Sequence, residues 1–349
     1  MSGREATRVL LVDDSPTVRA VLRRLLAGGE LEVVGEASNG AQAVEEARRL
    51  RPDVVLMDVE MPVLDGFAAT EKIMEQCPTA ILILTSRAHR DHVRTAFEAI
   101  RRGALDVLAK PEDAAGWEQL ALTLPPLVRG AARARRQKAA EKPGMAPPAT
   151  HYTAPATARV RFVAIGASTG GPGAVRDLLA ELPPGVPAAV LIVQHIAAGF
   201  DGGFADWLAR DLARDVQLAR DGELAIPGTV RIAPVGAHLL LEAGGRLTLD
   251  AQSPPRRGHR PSADDLFFSC ARVCPGEVAG VLLTGMGSDG AEGLAALRAA
   301  GGVTLVQDEA SSVVFGMPRA ALECGAASVA LPPRALGRTL LGLWEGSGR

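Results

Sequence analysis

The 349-residue chain reads as α/β, two doubly wound parallel-sheet domains in tandem, and three observations carry that expectation. Short apolar runs of strand length alternate with longer stretches of helical period. Run after run stops at an acid, a hydroxyl, a histidine or a glycine, which is what the carboxyl ends of parallel strands look like. A segment rich in proline and small residues, Glu141–Ala158, separates the two series. The expected division is a first domain over 1–124, a helix end and linker over 125–158, and a second domain over 159–349.

In chain order, strand Arg8–Val12 ends in Asp13-Asp14-Ser15-Pro16, and Ser15 is placed to cap a helix running to about Ala27. Strand Leu31–Ala37, helix Asn39–Leu50 and strand Val54–Met57 follow. Asp58 closes that strand, ahead of Glu60-Met61-Pro62 and Asp65-Gly66. Strand Ala80–Leu84 ends at Thr85-Ser86, and strand Asp106–Ala109 at Lys110-Pro111. The helix Ala114–Ala139 carries Pro125-Pro126, which predict an interruption or restart there, and ends in a basic run read as a solvated face.

All these strand ends lie along one edge in a parallel sheet, so Asp13, Asp14, Asp58, Thr85 and Lys110 share a site. Acids crowded together call for a divalent cation, and an oxygen-rich, partly hydrated set suits Mg²⁺; Asp13, Asp14, Asp58 and Glu60 are the assigned metal residues. Asp58 is then the phosphoacceptor, with Thr85 and Lys110 placed to hold the new phosphate oxygens. The motifs D-D-S-P, D-V-E-M-P…D-G, T-S and K-P resemble the response-regulator receiver domain, a flavodoxin-like fold, over its whole length. The resemblance implies a histidine kinase as phosphodonor. Where receivers commonly have Tyr or Phe three residues before the lysine, this chain has Val107, so the signal is expected to travel by backbone and loop movement.

The second series opens on V-A-I-G-A-S-T-G-G. Strand Phe162–Ile165 breaks at a glycine-rich turn holding Ser168, and a helix follows over about Ala174–Glu181. Then come strand Ala188–Gln194 ending at His195, helix Phe200–Asp211 and strand Val230–Ala233. A hairpin, His238–Leu241 and Arg246–Asp250, closes at Gly244-Gly245. Pro254–Arg260 reads as an irregular basic loop, with Ser262 placed to cap a helix over Ala263–Cys274. Strand Glu277–Leu283 ends in T-G-M-G-S-D-G; helix Ala291–Ala300, strand Val303–Gln307, helix Pro318–Cys324 and a terminal helix near Arg334–Trp344 complete a Rossmann-like domain. No internal repeat is evident.

Ser168, His195 and Asp289 each follow a strand and so can meet at one edge. A serine becomes a nucleophile when a histidine takes its proton, and the histidine needs a carboxylate to fix its tautomer and stabilise the imidazolium. Asp201, Asp264 and Asp308 are rival acids, but none stands so clearly in a glycine turn after a buried strand. The chain order Ser, His, Asp departs from the Ser, Asp, His of α/β-hydrolases, which weakens a lipase or esterase of that kind.

A-I-G-A-S-T-G-G, Q-H, H-R-P-S-A-D, L-T-G-M-G-S-D-G and E-A-S-S-V-V-F-G-M-P resemble the bacterial chemotaxis protein-glutamate methylesterases, which join a receiver to a C-terminal esterase domain. The resemblance implies hydrolysis of glutamate γ-methyl esters on methyl-accepting chemoreceptors, with deamidation of receptor glutamines as a side activity. It also implies an oxyanion hole from the backbone N–H groups of Thr169 and Met286, no cofactor for ester hydrolysis, and an unphosphorylated receiver that obstructs the site. Ile196-Ala197-Ala198 and Asp201 depart from the common Met-Pro-Pro-Gly-Phe and small hydroxyl, which bears on substrate fit. Arg256, Arg257, His259 and Arg260 form a cationic loop that suits docking of a Glu-rich receptor helix.

Composition narrows the other classes. A net charge of −2 gives no general attraction for nucleic acid or a membrane surface, and no helix in the second domain carries the basic face of a DNA reader. Met1–Thr7 has no apolar core, and runs such as Val186–Val193 are too short to span a bilayer, so direct membrane insertion is not expected and the expected location is cytoplasmic. Cys77, Cys270, Cys274 and Cys324 lack metal-ligand spacing and read as small buried thiols in a reducing cytoplasm. The competing functional class is a phosphorylation-switched scaffold with a weak or inactive esterase domain.

Overall fold

The computed structural model describes residues 6–28, 30–85, 97–140, 160–327 and 329–345. Ser86 and the linker Glu141–Ala158 lie outside them. The chain divides into two compact units, Met1–Glu141 and Lys142–Arg349.

In the first unit, β1 (Thr7–Val12), β2 (Leu31–Ala37), β3 (Val54–Met57), β4 (Ala80–Thr85) and β5 (Asp106–Ala109) form one parallel sheet in the order β2-β1-β3-β4-β5. β3 and β4 are buried along their whole length, because parallel strands covered on both faces need continuous apolar runs. The expected caps form: Ser15 accepts from the Val18 N–H, Asn39 from Gln42 and Asp65 from Ala68. Val107 packs against the sheet core, half-buried.

The break expected at Pro125-Pro126 does not occur: Ala114–Ala140 is one helix with both prolines inside it. Proline costs a helix its local hydrogen bonds, but packing compensates here. Leu120, Leu124, Leu127, Val128, Ala131 and Ala132 continue one buried stripe through the prolines, and Arg135 donates to the Pro78 carbonyl at 2.8 Å beyond them. Arg136 pairs with Asp53, so the basic run is partly tied to the sheet's amino edge rather than wholly solvated.

The second unit holds a seven-stranded parallel sheet, ordered β14-β13-β12-β6-β7-β9-β8. Its members are β6 (Phe162–Ala167), β7 (Ala189–Gln194), β8 (Val216–Leu218), β9 (Val230–Ile232), β12 (Val278–Leu282), β13 (Val303–Gln307) and β14 (Val329–Leu331). β8 and β14, three-residue edge strands, escape a sequence reading because they are too short to show a period. The antiparallel hairpin β10 (His238–Glu242) and β11 (Arg246–Asp250) turns through Gly244 and Gly245, both at positive φ as expected. The core is built on Phe162, Leu191, Val193, Leu266, Phe267 and Leu282; Cys77, Cys270 and Cys274 are buried as expected, but Cys324, at the end of the helix Met317–Glu323, is exposed.

The strand order changes direction at β1, flanked by β2 and β3, in the first sheet and at β6, flanked by β7 and β12, in the second. Connections leave in opposite directions at such a point and open a crevice at the carboxyl edge, where ligands bind. Every candidate residue that ends a strand falls on one of these edges.

Candidate active site and phosphoacceptor site

The three strands at the switch point of the second sheet, β7, β6 and β12, carry His195, Ser168 and Asp289 respectively. Ser168 directly follows β6, in a turn that the Gly170 φ of +74° allows. A Cβ on Gly170 would lie 2.5 Å from Val313 Cγ2. Gly285, in the turn after β12, passes so close that a Cβ there would sit 2.7 Å from the Ser168 Cβ. The His195 N–H donates to the Ala167 carbonyl at 2.9 Å, which fixes His195 one strand away from Ser168.

His195 Nε2 lies 2.8 Å from Asp289 Oδ2, with the two side chains 8% and 1% exposed. A carboxylate only accepts, so Nε2 carries the proton and Nδ1 keeps its lone pair. Nδ1 is buried and has no hydrogen-bond partner among the described residues. The ring nitrogen left with a free lone pair is therefore Nδ1, whereas in the serine-protease arrangement the acid binds Nδ1 and Nε2 is the free one. No residue spacing reports this.

Asp289 is held by more than the histidine. Its Oδ1 accepts from Ser262 Oγ at 2.6 Å and from the Asp264 N–H at 3.3 Å, and Oδ2 also accepts from the Ala263 N–H at 2.7 Å. Burial alone would push this carboxyl up; the bonds from His195, Ser262 and Ala263 outweigh it and hold the group well below the usual carboxylate range. Ser262 thus does something other than expected. It stands at the head of the helix Ala263–Val273 but makes no capping bond, because its hydroxyl is spent on Asp289.

The rival acids go elsewhere. Asp201 accepts from the Val235 N–H, and Asp308 from Ser311. Asp264 is fully buried next to Asp289; Oδ1 accepts from the Gly293 N–H, while Oδ2 has no hydrogen-bond partner among the described residues and lies 3.9 Å from Arg257 Nε. Burial chiefly, and the Asp289 charge, push Asp264 up to about 6 despite the Gly293 bond. A raised folded-state pKa means that the fold binds this proton more tightly than the unfolded chain does. The group's contribution therefore declines as pH rises from about 4 to about 6 and stays unfavourable above. Asp264→Asn is expected to be more stable than wild type by about 1–3 kcal/mol at pH 7 and indistinguishable from it below pH ~4, read as a pH series of unfolding midpoints. An equal difference at all pH values would contradict this.

The cationic loop is rebuilt by the structure. Arg257 (φ +50°) and Gly258 (φ +86°) form a tight turn in which Arg256 and His259 exchange both backbone bonds, so the stretch is ordered rather than irregular. The turn lays the His259 ring flat on His195, centroids 3.9 Å apart and planes 3° from parallel. Burial chiefly, and the neighbouring His195, hold His259 below the usual imidazole range, which favours the neutral form of the stacked ring. Arg256 pairs with Asp265 at 2.8 Å, Arg257 with Glu292, and Arg260 donates to the Ala251 and Ser253 carbonyls. The residues expected to dock a receptor helix, Arg256, Arg257, His259 and Arg260, are thus engaged within the domain: each arginine has a partner there, and the histidine stacks on His195.

Two further residues were not singled out from sequence. Gln194 Nε2 donates to the Ser168 carbonyl at 2.7 Å and the His195 carbonyl at 2.9 Å. Thr284 Oγ1 donates to the Thr169 carbonyl at 2.9 Å and accepts from the Val314 N–H at 3.0 Å. Both lie inside the quoted motifs Q-H and L-T-G-M-G-S-D-G. A polar residue at the end of an apolar strand is their only local signal.

In the first unit, Asp13, Asp14 and Asp58 bring a carboxylate oxygen each within 4.8 Å of one another; Glu60 is not part of that cluster. Lys110 Nζ bridges Asp13 Oδ2 and Asp58 Oδ2, at 2.7 Å each. Burial pushes Asp58 up to about 6 against the pull of Lys110. The Lys110 N–H bonds the Thr85 carbonyl at 2.8 Å, and Thr85 Oγ1 is buried without a partner among the described residues. An orphaned hydroxyl, an ammonium and three crowded acids fit a phosphoryl group and a hard, oxygen-seeking cation.

Comparison with known proteins agrees on both units. Residues 163–340 match the CheB methylesterase family, and residues 9–120 match the response regulator receiver domain. A protein-glutamate methylesterase/protein-glutamine glutaminase of Anaeromyxobacter dehalogenans is 44% identical over 96% of this chain and 97% of its own. One from Geobacter metallireducens is 42% identical over 93% of this chain and 95% of its own. The crystal structure of the Thermotoga maritima CheB methylesterase catalytic domain superposes with a TM-score of 0.51 at 36% identity, covering 53% of this chain and 98% of that one.

Proposed function

Because the chain belongs to the CheB methylesterase family, with a response-regulator receiver at its front, we propose that Ser168, His195 and Asp289 act as one hydrolytic unit on receptor glutamate γ-methyl esters. The protein is a protein-glutamate methylesterase with protein-glutamine glutaminase activity, regulated by receiver phosphorylation. The observation that carries the site assignment is the buried His195–Asp289 pair, with Nδ1 left unbonded at the edge where the serine turn emerges.

In the proposed reaction, Ser168 Oγ gives its proton to His195 Nδ1 and attacks the γ-carbonyl carbon. The carbonyl oxygen takes up negative charge facing the Thr169 and Met286 N–H groups. The C–O bond to the methoxy group breaks, and His195 returns the proton so that methanol leaves. Water, deprotonated by the same nitrogen, then attacks the acyl-serine ester, releasing glutamate and restoring the hydroxyl. With a glutamine, ammonia leaves in place of methanol. Asp289 stays ionised throughout and stabilises the imidazolium. The residues carrying this chemistry all come from the polypeptide.

Methylated receptor membranes test the reading: the full chain should release methanol well above the spontaneous rate, and no release with a phosphodonor and Mg²⁺ present would refute it. A scaffold with an inactive esterase domain predicts none and has no use for the buried His195–Asp289 pair.

Asp58 is the proposed phosphoacceptor, Asp13, Asp14 and Asp58 the proposed cation ligands, and Thr85 and Lys110 the groups that hold the phosphoryl oxygens. Mg²⁺, when bound, supplies the positive charge that lets three acids and an incoming phosphoryl group share the site. The donor is a histidine kinase or a small-molecule acyl or carbamoyl phosphate. Phosphodonor and Mg²⁺ should raise methanol release by the wild type on the order of 5–100-fold. Asp58→Asn should abolish that stimulation and leave the basal rate. A stimulated Asp58→Asn would move the phosphoacceptor elsewhere.

Among the described residues no helix is long and apolar enough to cross a membrane.

A further inference from the structure

Oxyanion stabilisation depends on N–H groups aimed before the charge develops. The Thr169 and Met286 N–H groups make no hydrogen bond among the described residues, whereas the Ser168 N–H is already used by the Thr284 carbonyl at 3.0 Å. What aims the two free donors is visible in the carbonyls on the far side of their peptide planes. A peptide is planar, so fixing its C=O fixes the direction of its N–H.

The plane that carries the Thr169 N–H has the Ser168 carbonyl at its other side. That oxygen accepts twice, from the Gly171 N–H at 2.8 Å and from Gln194 Nε2 at 2.7 Å. The plane that carries the Met286 N–H has the Gly285 carbonyl, which accepts from the Gly316 N–H at 3.1 Å and the Met317 N–H at 3.0 Å. Thr284 links the two. Its backbone oxygen holds the Ser168 N–H, its hydroxyl holds the Thr169 carbonyl, and the same hydroxyl accepts from Val314 N–H. The Val314 carbonyl in turn accepts from the Gly285 N–H at 2.9 Å.

From this we propose that Gln194 and Thr284 are positioning residues for the oxyanion hole, neither touching the substrate. Gln194 is 2% exposed, and only its NH₂ can face two carbonyls, so its amide orientation is fixed by its partners. A Cβ on Gly171 would collide with Gln194 Oε1, so the glycine is what lets this amide reach the turn. One amide thus spans the backbone of the nucleophile and of the base, and one hydroxyl spans the serine turn and the 314–317 segment that pins the second donor. Thr284 is fully buried, so its hydroxyl has no water to fall back on.

The inference rests on the esterase reading and is tested on the full-length protein with Gln194→Met, Thr284→Val and Thr284→Ser. The first two keep size while removing the donor; the third keeps the hydroxyl. Gln194→Met and Thr284→Val should each lower kcat for methanol release about 10–100-fold with KM within about twofold, since a donor tilted out of line loses its effect only in the transition state. Thr284→Ser should stay within about threefold of wild type. A glutamyl trifluoromethyl ketone, which forms an anionic adduct with a nucleophilic serine, should lose affinity for the two impaired variants by the same factor as kcat. A purely structural role would not tie those factors together.

Three results would overturn the proposal in an active wild type. They are unchanged kcat in both Gln194→Met and Thr284→Val, a loss confined to KM, or a Thr284→Ser variant as impaired as Thr284→Val while its unfolding midpoint equals wild type. If the Val and Met variants fail to fold, the Ser variant and the inhibitor affinity of Gln194→Glu decide. The Glu side chain keeps the shape but faces the two carbonyls with oxygen, so retained adduct affinity would likewise refute the role. A wild type that releases no methanol removes the esterase reading itself, a separate outcome.

Discussion

Ser168→Ala is expected to cut methanol release from methylated receptors by roughly 10⁴-fold or more, leaving at most the catalysis that an oxyanion site supplies to water. The size follows from the division of labour at the turn. Among the described residues, the hydrogen bonds of Ser168 are all made by its backbone: its N–H bonds Thr284 and its carbonyl is held by Gly171 and Gln194. Alanine keeps all of these, and its methyl is compatible with the tight approach of Gly285. The variant should therefore unfold at the wild-type midpoint, accept phosphate at Asp58 normally and bind methylated receptor. Only the acyl-enzyme should be missing, as read by the absence of a label on residue 168 after quenching with substrate. Methanol release at about a tenth of the wild-type rate would require another nucleophile.

Much of the architecture was legible because parallel strands buried on both faces leave continuous apolar runs, and those runs end where the sheet ends. Val54–Met57 before Asp58, Ala80–Thr85 before Lys110's strand, and Phe162–Ala167 before Ser168 all show this. What stayed hidden depends on contacts between segments far apart in the chain. The helix through Pro125-Pro126 persists because a buried stripe overrides a local breaker. The loop at Arg256–Arg260 looks like a solvated cationic patch until the turn at Arg257-Gly258 carries His259 onto His195. Charge and composition cannot report where a tight turn aims a ring. Ser262 has the signature of a cap, and only the arrival of Asp289 from 27 residues away redirects its hydroxyl. Which His195 nitrogen faces Asp289 is likewise a property of side-chain orientation.

Asp289→Asn should reduce kcat by roughly 10³–10⁴-fold, and the hydrogen bonds at the carboxylate show why neither orientation of the amide can substitute. With its NH₂ in place of Oδ2, the asparagine would face the Ala263 N–H and His195 Nε2 as a donor. The imidazole would then have to accept at Nε2 and carry its proton on Nδ1, turning a hydrogen towards the serine instead of a lone pair. With its NH₂ in place of Oδ1, Ser262 Oγ can turn to accept, but the Asp264 N–H meets a donor. The neutral amide oxygen left for His195 no longer stabilises an imidazolium in a buried setting, where charge interactions are screened least. Methanol-release kinetics should show the loss in kcat with KM little changed. Asp264→Asn, one residue into the helix that brackets the same carboxylate, serves as the control: it alters a neighbouring charge without touching the His195 bond, and should keep kcat within about threefold of wild type. If the two variants exchanged behaviour, the acid that braces the base would be Asp264, and the tautomer assigned to His195 would have to be abandoned with it.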